Sequence, residues 1–254
     1  IDEVNLLTDN MGQFIDSKHP YVTCSHEFIE SEWWLIKEID KKGLIYYGNK
    51  VLPYCPRCGT ELSANEVGQG YQEDSVNTVI VPFKIKDSDT YFLVWTTTPW
   101  TLMANVALCV NPDLEYIKVS SMGYKFIVAK SLANKVLGDD FEVLETYKGT
   151  DLVGTNYEQL MPFAEVEGKC FEVVADSYVT SEDGTGIVHI APAYGDDDNR
   201  VCKENGIGFV NPVGKDGCYT TGPWKGTLVT DKDLEIEIIK WLKENDKLFK
   251  KIKL

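Results

Sequence analysis

Apolar residues recur along this chain with two different periods. Between Ser25 and Lys42 they recur every three or four positions, which predicts an amphipathic helix that Ser25 caps and Gly43 ends. From Val79 onward the period is two, since Val79, Val81, Phe83 and Ile85 alternate with residues expected to point outward, which is typical of a strand with one buried face. Further short runs predict strands at residues 91–96, 106–110, 116–120, 125–129, 141–146, 170–175 and 187–190.

So many short strands, separated by turns marked with glycine or proline, predict a mixed α/β fold dominated by β structure, with a β-barrel-like domain and peripheral helices. We expect these helices at residues 131–137, 197–205 and 231–245, and a short strand pair at residues 44–52. A change of pattern near residue 72 suggests three parts. They are a lead-in with a helix and a cysteine motif (1–72), a β-barrel core (73–230), and a C-terminal helix with a return linker (231–254).

The chain is acidic. Among its 254 residues, 40 aspartates and glutamates stand against 25 lysines and arginines, which gives a formal charge of −15. This charge repels a phosphate backbone, so it argues against a protein that coats nucleic acid and allows only a local pocket for a strand end. No run of 18 apolar residues and no basic, apolar leader is present, so we expect a cytoplasmic protein without membrane contact. Because the chain opens with Ile1 and stops in a lysine-rich tail, we also expect a piece of a larger protein.

One cysteine pair forms a pattern. Cys55 and Cys58 lie in the sequence Tyr-Cys-Pro-Arg-Cys-Gly, whose proline and glycine suit a tight turn that presents two thiolates to one metal ion. A structural zinc site needs four ligands, and no second pair with ligand spacing occurs in the sequence. We therefore expect half of a zinc site, with a redox dithiol and two inert thiols as the alternatives.

Two segments carry candidate chemistry. Thr96, Thr97 and Thr98 end an apolar strand ahead of a proline, and the proline excludes helical geometry at the residue before it. A threonine run alone is weak evidence, because threonine is a good strand former. The second segment places His189 in a strand, and a loop then brings three aspartates to a helix start. Capping is the plain explanation for the first two, whereas Asp198, farther into the helix, is a candidate anion for an ammonium group.

These segments closely resemble the editing domain of isoleucyl-tRNA synthetases. The shared features are Trp-Thr-Thr-Thr-Pro-Trp-Thr-Leu at residues 95–102 and Gly-Thr-Gly-Ile-Val-His, Ala-Pro-Ala and Gly-Asp-Asp-Asp within residues 184–198. The related valyl and leucyl enzymes carry an arginine at the position of Thr98 and an acidic residue at that of Trp100. The nucleotide-binding signatures His-x-Gly-His and Lys-Met-Ser-Lys-Ser of the ATP-binding parent enzyme do not occur here.

The resemblance implies hydrolysis of valyl-tRNA(Ile) and exclusion of isoleucyl-tRNA. By similarity, Asp198 binds the ammonium group and His189 lines the side-chain cavity. The ester and terminal ribose are then fixed by the three threonines and Asn105, and Trp95 and Gly186 contribute to substrate binding. The implied partners are the acceptor end of tRNA(Ile) carrying valine and the remainder of the parent synthetase.

The editing reaction needs no cofactor under this interpretation, and a structural zinc is an option only for the full-length enzyme. Two alternatives have no catalytic activity: a zinc-knuckle binding module, and a remnant that docks tRNA without hydrolysing it.

Overall fold

The computed structural model describes residues 2–12, 16, 19–72 and 75–253. Its helices are α1 (Asp2–Asn10), α2 (His26–Lys41), α3 (Ala64–Gln69), α4 (Ala133–Leu137), α5 (Gly149–Leu152), α6 (Asp196–Asn205) and α7 (Lys232–Glu244). Its strands are β1 (Tyr54–Cys55), β2 (Thr60–Glu61), β3 (Asn77–Lys84), β4 (Thr90–Thr96), β5 (Ala107–Val110), β6 (Glu115–Ser121), β7 (Tyr124–Ala129), β8 (Glu142–Lys148), β9 (Glu172–Ala175), β10 (Ile187–Ile190) and β11 (Lys250–Lys253).

The chain divides into two compact units, Ile1–Asn49 and Lys50–Leu254. The three-part division at residues 72 and 230 stays a prediction, and residues 1, 73 and 254, at the ends of its segments, lie outside the described residues.

The first unit contains the helix that the sequence predicts. Ser25 is the N-cap of α2 and its side chain accepts a hydrogen bond from the Phe28 amide, while Gly43 follows the helix with φ +67°. The strand pair expected at residues 44–52 is wrong, because no strand forms there in the described chain. A strand pair needs a core to cover, and Leu44 and Tyr46 are instead 65% and 85% exposed.

Nine strands of the second unit form one curled sheet that branches at β4. One edge of β4 pairs antiparallel with β3, which in turn pairs with β11. Its other edge is shared by two parallel neighbours, first β7 and then β10, so the sheet continues as β8-β6-β7-β4-β10-β5-β9. The strands predicted from Val79 to Ile190 are all present, with bounds shifted by at most a few residues. The expected sheet-dominated, mixed α/β fold is confirmed.

Helix α7 covers part of this sheet. Leu234, Ile238 and Leu242 form its buried stripe and join the main core with the side chains of β3, β4, β6 and β7. Asp231 begins the helix, since its side chain accepts a hydrogen bond from the Asp233 amide. The predicted C-terminal helix is therefore confirmed as a core element. Across the described part of the chain, no helix is both long and apolar enough to span a membrane.

Candidate functional site

The candidate site lies where two parallel strands end. β4 and β10 run in the same direction with Val188 opposite Trp95, so the segments that follow Thr96 and Ile190 emerge at one edge of the sheet. The carboxyl ends of adjacent parallel strands are a common place for a binding crevice. The two segments singled out in the sequence are thereby brought together.

Between the two segments lies a cavity of about 260 Å³. Its lining is rich in hydroxyl and aromatic groups, and among the described residues that line it there is no lysine or arginine. The lining residues are Trp95, Thr96, Thr97, Thr98, Trp100, Thr101, Val188, His189, Ala191, Tyr194, Gly195 and Asp198. Pockets for drug-sized ligands start at about 300 Å³, so this cavity suits a smaller group.

The threonine side of the cavity is a strand end that turns into a 3-10 helix, Pro99–Ala104. Thr98 precedes this helix with φ −127° and ψ 75°, outside helical geometry, as expected for a residue before proline. The hydroxyls of Thr96 and Thr98 lie 3.3 Å apart, and those of Thr98 and Thr101 lie 3.2 Å apart. The turn therefore presents a row of three hydroxyl groups.

His189 is a buried member of the lining, with 6% of its surface exposed. Burial lowers the pKa of its imidazole to about 4, so the ring is neutral at physiological pH. Its Nε2 lies 2.9 Å from Thr101 Oγ1, while Nδ1 is buried with no hydrogen-bond partner among the described residues. Buried polar atoms are ordinarily paired, so the unpaired Nδ1 is unusual.

Asp198 presents its carboxylate to the cavity from the first turn of α6. Its Oδ2 accepts a hydrogen bond from the Ala191 amide at 2.8 Å. Burial is the main cause that raises the pKa of this carboxyl to about 6, so a large part of it is ionised at neutral pH although its surroundings disfavour the charge. A nearby ammonium group would relieve that cost.

The start of α6 is built to make room for this carboxylate. Gly195 is the N-cap, and a Cβ at that position would lie 2.7 Å from Asp198 Cγ. The expected capping by Asp196 and Asp197 consists of negative charge in the first turn, since no side chain makes a capping hydrogen bond. Asp197 instead accepts a hydrogen bond from Arg200 at 3.2 Å.

Aromatic rings complete the lining. Gly184 has φ +75°, and a Cβ there would lie 2.7 Å from the indole of Trp95, so the glycine allows the chain to cross that ring. Trp100 and Tyr194 pack edge to face, with ring centroids 4.8 Å apart and planes at 63°. This pair forms one wall of the cavity.

Two residues expected to bind substrate lie outside the lining. Asn105 is 2% exposed, and its side chain donates to the Ala107 carbonyl and accepts from the Tyr157 hydroxyl at 2.7 Å. Gly186 packs against Ala129, where a Cβ would come within 2.4 Å of the alanine Cβ. Both positions therefore support the surrounding structure, and neither contributes a side chain to the cavity.

Six lining residues were not among the site residues predicted from the sequence, namely Trp100, Thr101, Val188, Ala191, Tyr194 and Gly195. Thr101 and Tyr194 are the two of these with a hydroxyl group. Thr101 lies three residues after Thr98, and in a 3-10 helix side chains at this spacing eclipse each other. Its position after a proline in the same threonine-rich segment is the signal that could have identified it. For Tyr194 the only sequence signal was its position between His189 and Asp198, and that position does not show where the ring points.

The cysteine pair lies in a separate hairpin of β1 and β2. The Cys58 amide donates to Cys55 Sγ at 3.4 Å, and this hydrogen bond is the main cause that lowers the pKa of Cys55. Such geometry suits a metal-binding turn. However, no group of three or more histidine, cysteine, aspartate or glutamate side chains that could hold a metal ion exists among the described residues, so the hairpin supplies two ligands only.

Known proteins resemble this chain in sequence. The family model described as tRNA synthetases class I (I, L, M and V) matches residues 1–238. Isoleucine–tRNA ligase of Clostridium tetani is 44% identical over 247 residues, or 96% of this chain, and that of Picrophilus torridus is 45% identical over 252 residues, or 98%. The chain spans 24% of the length of each of these relatives.

Solved structures resemble it in fold. GlLeuRS-CP1 superposes with a TM-score of 0.56 at 15% identity, covering 68% of this chain and 98% of that one. The editing domain of the P. knowlesi cytosolic leucyl-tRNA synthetase superposes with a TM-score of 0.54 at 13% identity, covering 71% and 98%. At these identities the likeness concerns the fold, and it agrees with the sheet described above.

Proposed function

Because the chain belongs to the class I tRNA synthetases for isoleucine, leucine, methionine and valine, we propose that it carries the hydrolytic editing site of an isoleucine enzyme. The proposed reaction is deacylation of valyl-tRNA(Ile), with cognate isoleucyl-tRNA left intact. The observation that carries the proposal is the small cavity in which Thr96, Thr98, His189 and Asp198 meet.

Such an activity answers a physical limit on selectivity. A synthetic site for isoleucine gains only about 1–3 kcal/mol from one methylene, a magnitude already known for isoleucyl-tRNA synthetase itself. A second site that admits valine and refuses isoleucine removes the errors that remain. A cavity of about 260 Å³ is small enough for one methylene to matter.

Asp198 is the proposed partner of the substrate's α-ammonium group. It is the charged side chain of the lining, and Ala191 already fixes one of its oxygens. Its raised pKa means that the ionised carboxylate lacks sufficient compensation in the free protein, and the ammonium supplies it. Binding the amino group here orients the ester relative to the threonine hydroxyls.

His189 is the proposed wall that refuses isoleucine. An imidazole with a pKa of about 4 is a weak base near pH 7, so a general-base role receives little support from its protonation behaviour. Its Nε2 contact with Thr101 fixes the ring in one orientation, as a steric barrier requires. The hydroxyl row of Thr96, Thr98 and Thr101 stands beside it.

Hydrolysis needs only an ordered water in this scheme, since an aminoacyl ester is already activated. Water attacks the ester carbonyl, the bond to the ribose oxygen breaks, and the proton lost by water ends on the released ribose hydroxyl. Thr96 and Thr98, with the exposed Thr97, provide hydroxyls that can hold the ester and the ribose and stabilise the developing negative charge. No covalent intermediate with the protein is involved.

The test compares two substrates. Purified protein is mixed with valyl-tRNA(Ile) and with isoleucyl-tRNA(Ile), and the loss of each ester is followed. We expect rapid loss of valine, slow loss of isoleucine and no ATP-dependent charging of tRNA with isoleucine. Binding of tRNA with no acceleration of either hydrolysis would instead support the docking alternative, and detectable charging would contradict the proposal.

The family match supports a proposal about the remaining partners. We propose that the chain acts within a cytoplasmic parent synthetase and that it receives the acceptor end of tRNA(Ile) from the site where the ester is made.

A further inference from the structure

A long connection between α6 and α7 supports the cavity without lining it. Residues 206–231 contain no helix or strand, yet several backbone hydrogen bonds join parts of this segment. Loops of this length in a compact domain usually serve a function. We call residues 211–228 the support loop.

The support loop is held together by its own hydrogen bonds. Thr220 donates from its amide and its hydroxyl to the Pro212 carbonyl, at 2.8 and 3.0 Å. The Tyr219 amide donates to the Thr227 carbonyl at 3.1 Å, and the Gly226 amide donates back to the Tyr219 carbonyl at 2.8 Å. These hydrogen bonds hold the loop in a defined conformation.

The support loop contacts the 3-10 helix that carries the threonine side of the cavity. Tyr219 is a buried residue with 2% of its surface exposed, and its hydroxyl donates to the carbonyl of Trp100. Gly222 packs so closely on the same helix that a Cβ would lie 3.1 Å from Met103 Sδ. Next along the helix is Thr101, which contacts His189 Nε2 at 2.9 Å.

The same loop grips the other ring of the aromatic wall. The hydroxyl of Tyr194 donates to Asn211 Oδ1 at 3.0 Å, and that oxygen also accepts from the Val213 amide at 3.1 Å. Trp100 and Tyr194 are thus each held from behind by one loop. Since the loop lines no part of the cavity, these bonds act through the residues that do.

We infer that Tyr219 and Asn211 are positioning residues that set the selectivity of the site by holding the Trp100–Tyr194 wall and, through Thr101, the orientation of His189. The effect on selectivity rests on the proposed editing function. The restraint that the loop places on Trp100 and Tyr194 rests on the structure alone.

The experiment compares Tyr219→Phe with a matched control. Tyr219→Phe keeps the ring and removes the hydroxyl. Ser121→Ala removes a buried hydroxyl that donates to the Asp140 carbonyl at 3.1 Å, far from the cavity lining. We expect Tyr219→Phe to lower the ratio of valyl to isoleucyl deacylation about two- to tenfold, the usual effect of losing one hydrogen bond. Ser121→Ala should leave the ratio unchanged.

A second pair of variants tests the other grip. Asn211→Leu removes the acceptor and should lower the same ratio, whereas Asn211→Asp keeps an acceptor oxygen and should restore it. A fall in both deacylation rates with a constant ratio, for Tyr219→Phe and Asn211→Leu alike, means that the loop is merely structural and overturns the inference.

Amide hydrogen exchange separates this inference from the proposed function. The amides of Thr101 and Asn105 donate within the 3-10 segment, to the Thr98 and Leu102 carbonyls. They should exchange faster in Tyr219→Phe than in wild type or Ser121→Ala. Unchanged exchange overturns the inference whatever the activity of the wild type, and absence of valyl-tRNA hydrolysis in wild type overturns the proposed function alone.

Discussion

Replacement of Asp198 by asparagine should make the protein more stable and less active. The variant keeps an oxygen that can accept the Ala191 amide hydrogen bond and removes the buried charge. Burial raises the pKa of the carboxyl from 3.8 to about 6. Each pKa unit corresponds to about 1.4 kcal/mol, so the ionised carboxylate destabilises the fold by at most roughly 3 kcal/mol.

The sign of the pH dependence follows from linkage. The folded protein holds the proton of Asp198 more tightly than the unfolded chain, so the destabilisation is fully present above pH 6 and disappears as pH falls from 6 to below 4. Urea unfolding at pH 8 should show Asp198→Asn to be about 1–3 kcal/mol more stable than wild type. At pH 4 the two proteins should be nearly equal.

Activity should change in the opposite direction. A charge-assisted hydrogen bond to the substrate ammonium contributes about 1.5–3 kcal/mol, so valyl-tRNA hydrolysis by Asp198→Asn, or by Asp198→Ala, should slow about ten- to hundredfold. In wild type, kcat/KM should rise with pH through about 6 as the carboxylate ionises. A variant that is less stable than wild type at pH 8 would show that the carboxylate serves the helix, and unchanged hydrolysis would remove Asp198 from the site.

Two further substitutions probe the site, and one measurement of bound zinc probes the cysteine hairpin. His189→Ala should enlarge the cavity and permit hydrolysis of isoleucyl-tRNA, so the ratio of the two deacylation rates should fall while a thermal melt confirms folding; equal loss of both rates would contradict the steric role. Gly195→Ala places a methyl group within 2.7 Å of Asp198 Cγ, so the carboxylate must move. The rate of valyl-tRNA deacylation and the free energy of unfolding should therefore both fall. A Gly68→Ala control, with nothing within 4 Å of the new Cβ, should leave deacylation unchanged. Zinc should bind at Cys55 and Cys58 substoichiometrically and be lost to a chelator, because two thiolates fill half a tetrahedron, and elemental analysis would expose a tight site.

The sequence predicted the sheet well because its strands carry strong local signals. The apolar runs of β4 and β10 reflect burial that each strand needs by itself. For β3 the expectation of one buried face was wrong, because Thr78–Val81 are all buried and the strand is covered on both faces there. Strand β11, with its three lysines, was not predicted, because it pairs along an edge and buries little of its own surface. Residues 44–52 show the opposite error, since strand-forming residues do not form a strand where no partner strand lies beside them.

The sequence identified those site residues whose own side chain lines the cavity and lies in one of the two motif segments. Thr96, His189 and Asp198 were expected there from the two segments, and the structure brings them together. The sequence could not show that Asn105 differs from these residues. A buried amide that accepts a hydrogen bond from Tyr157 gives the same sequence signal as an amide that binds a ligand. The support loop was invisible for a related reason: Tyr219 acts on Trp100 across 119 positions, and no local pattern records such a contact.

The branch of the sheet at β4 has a consequence for how such a domain can diversify. The strands of the sheet are held by neighbours along their length, whereas the residues to which we assign selectivity lie at the ends of β4 and β10 and in the support loop behind them. The scaffold can therefore drift widely, as its persistence at 15% identity illustrates. Under the proposed function, grafting the two strand ends together with the support loop from another member should transfer the preference for an amino acid, while the strand pairing of the host sheet is left in place.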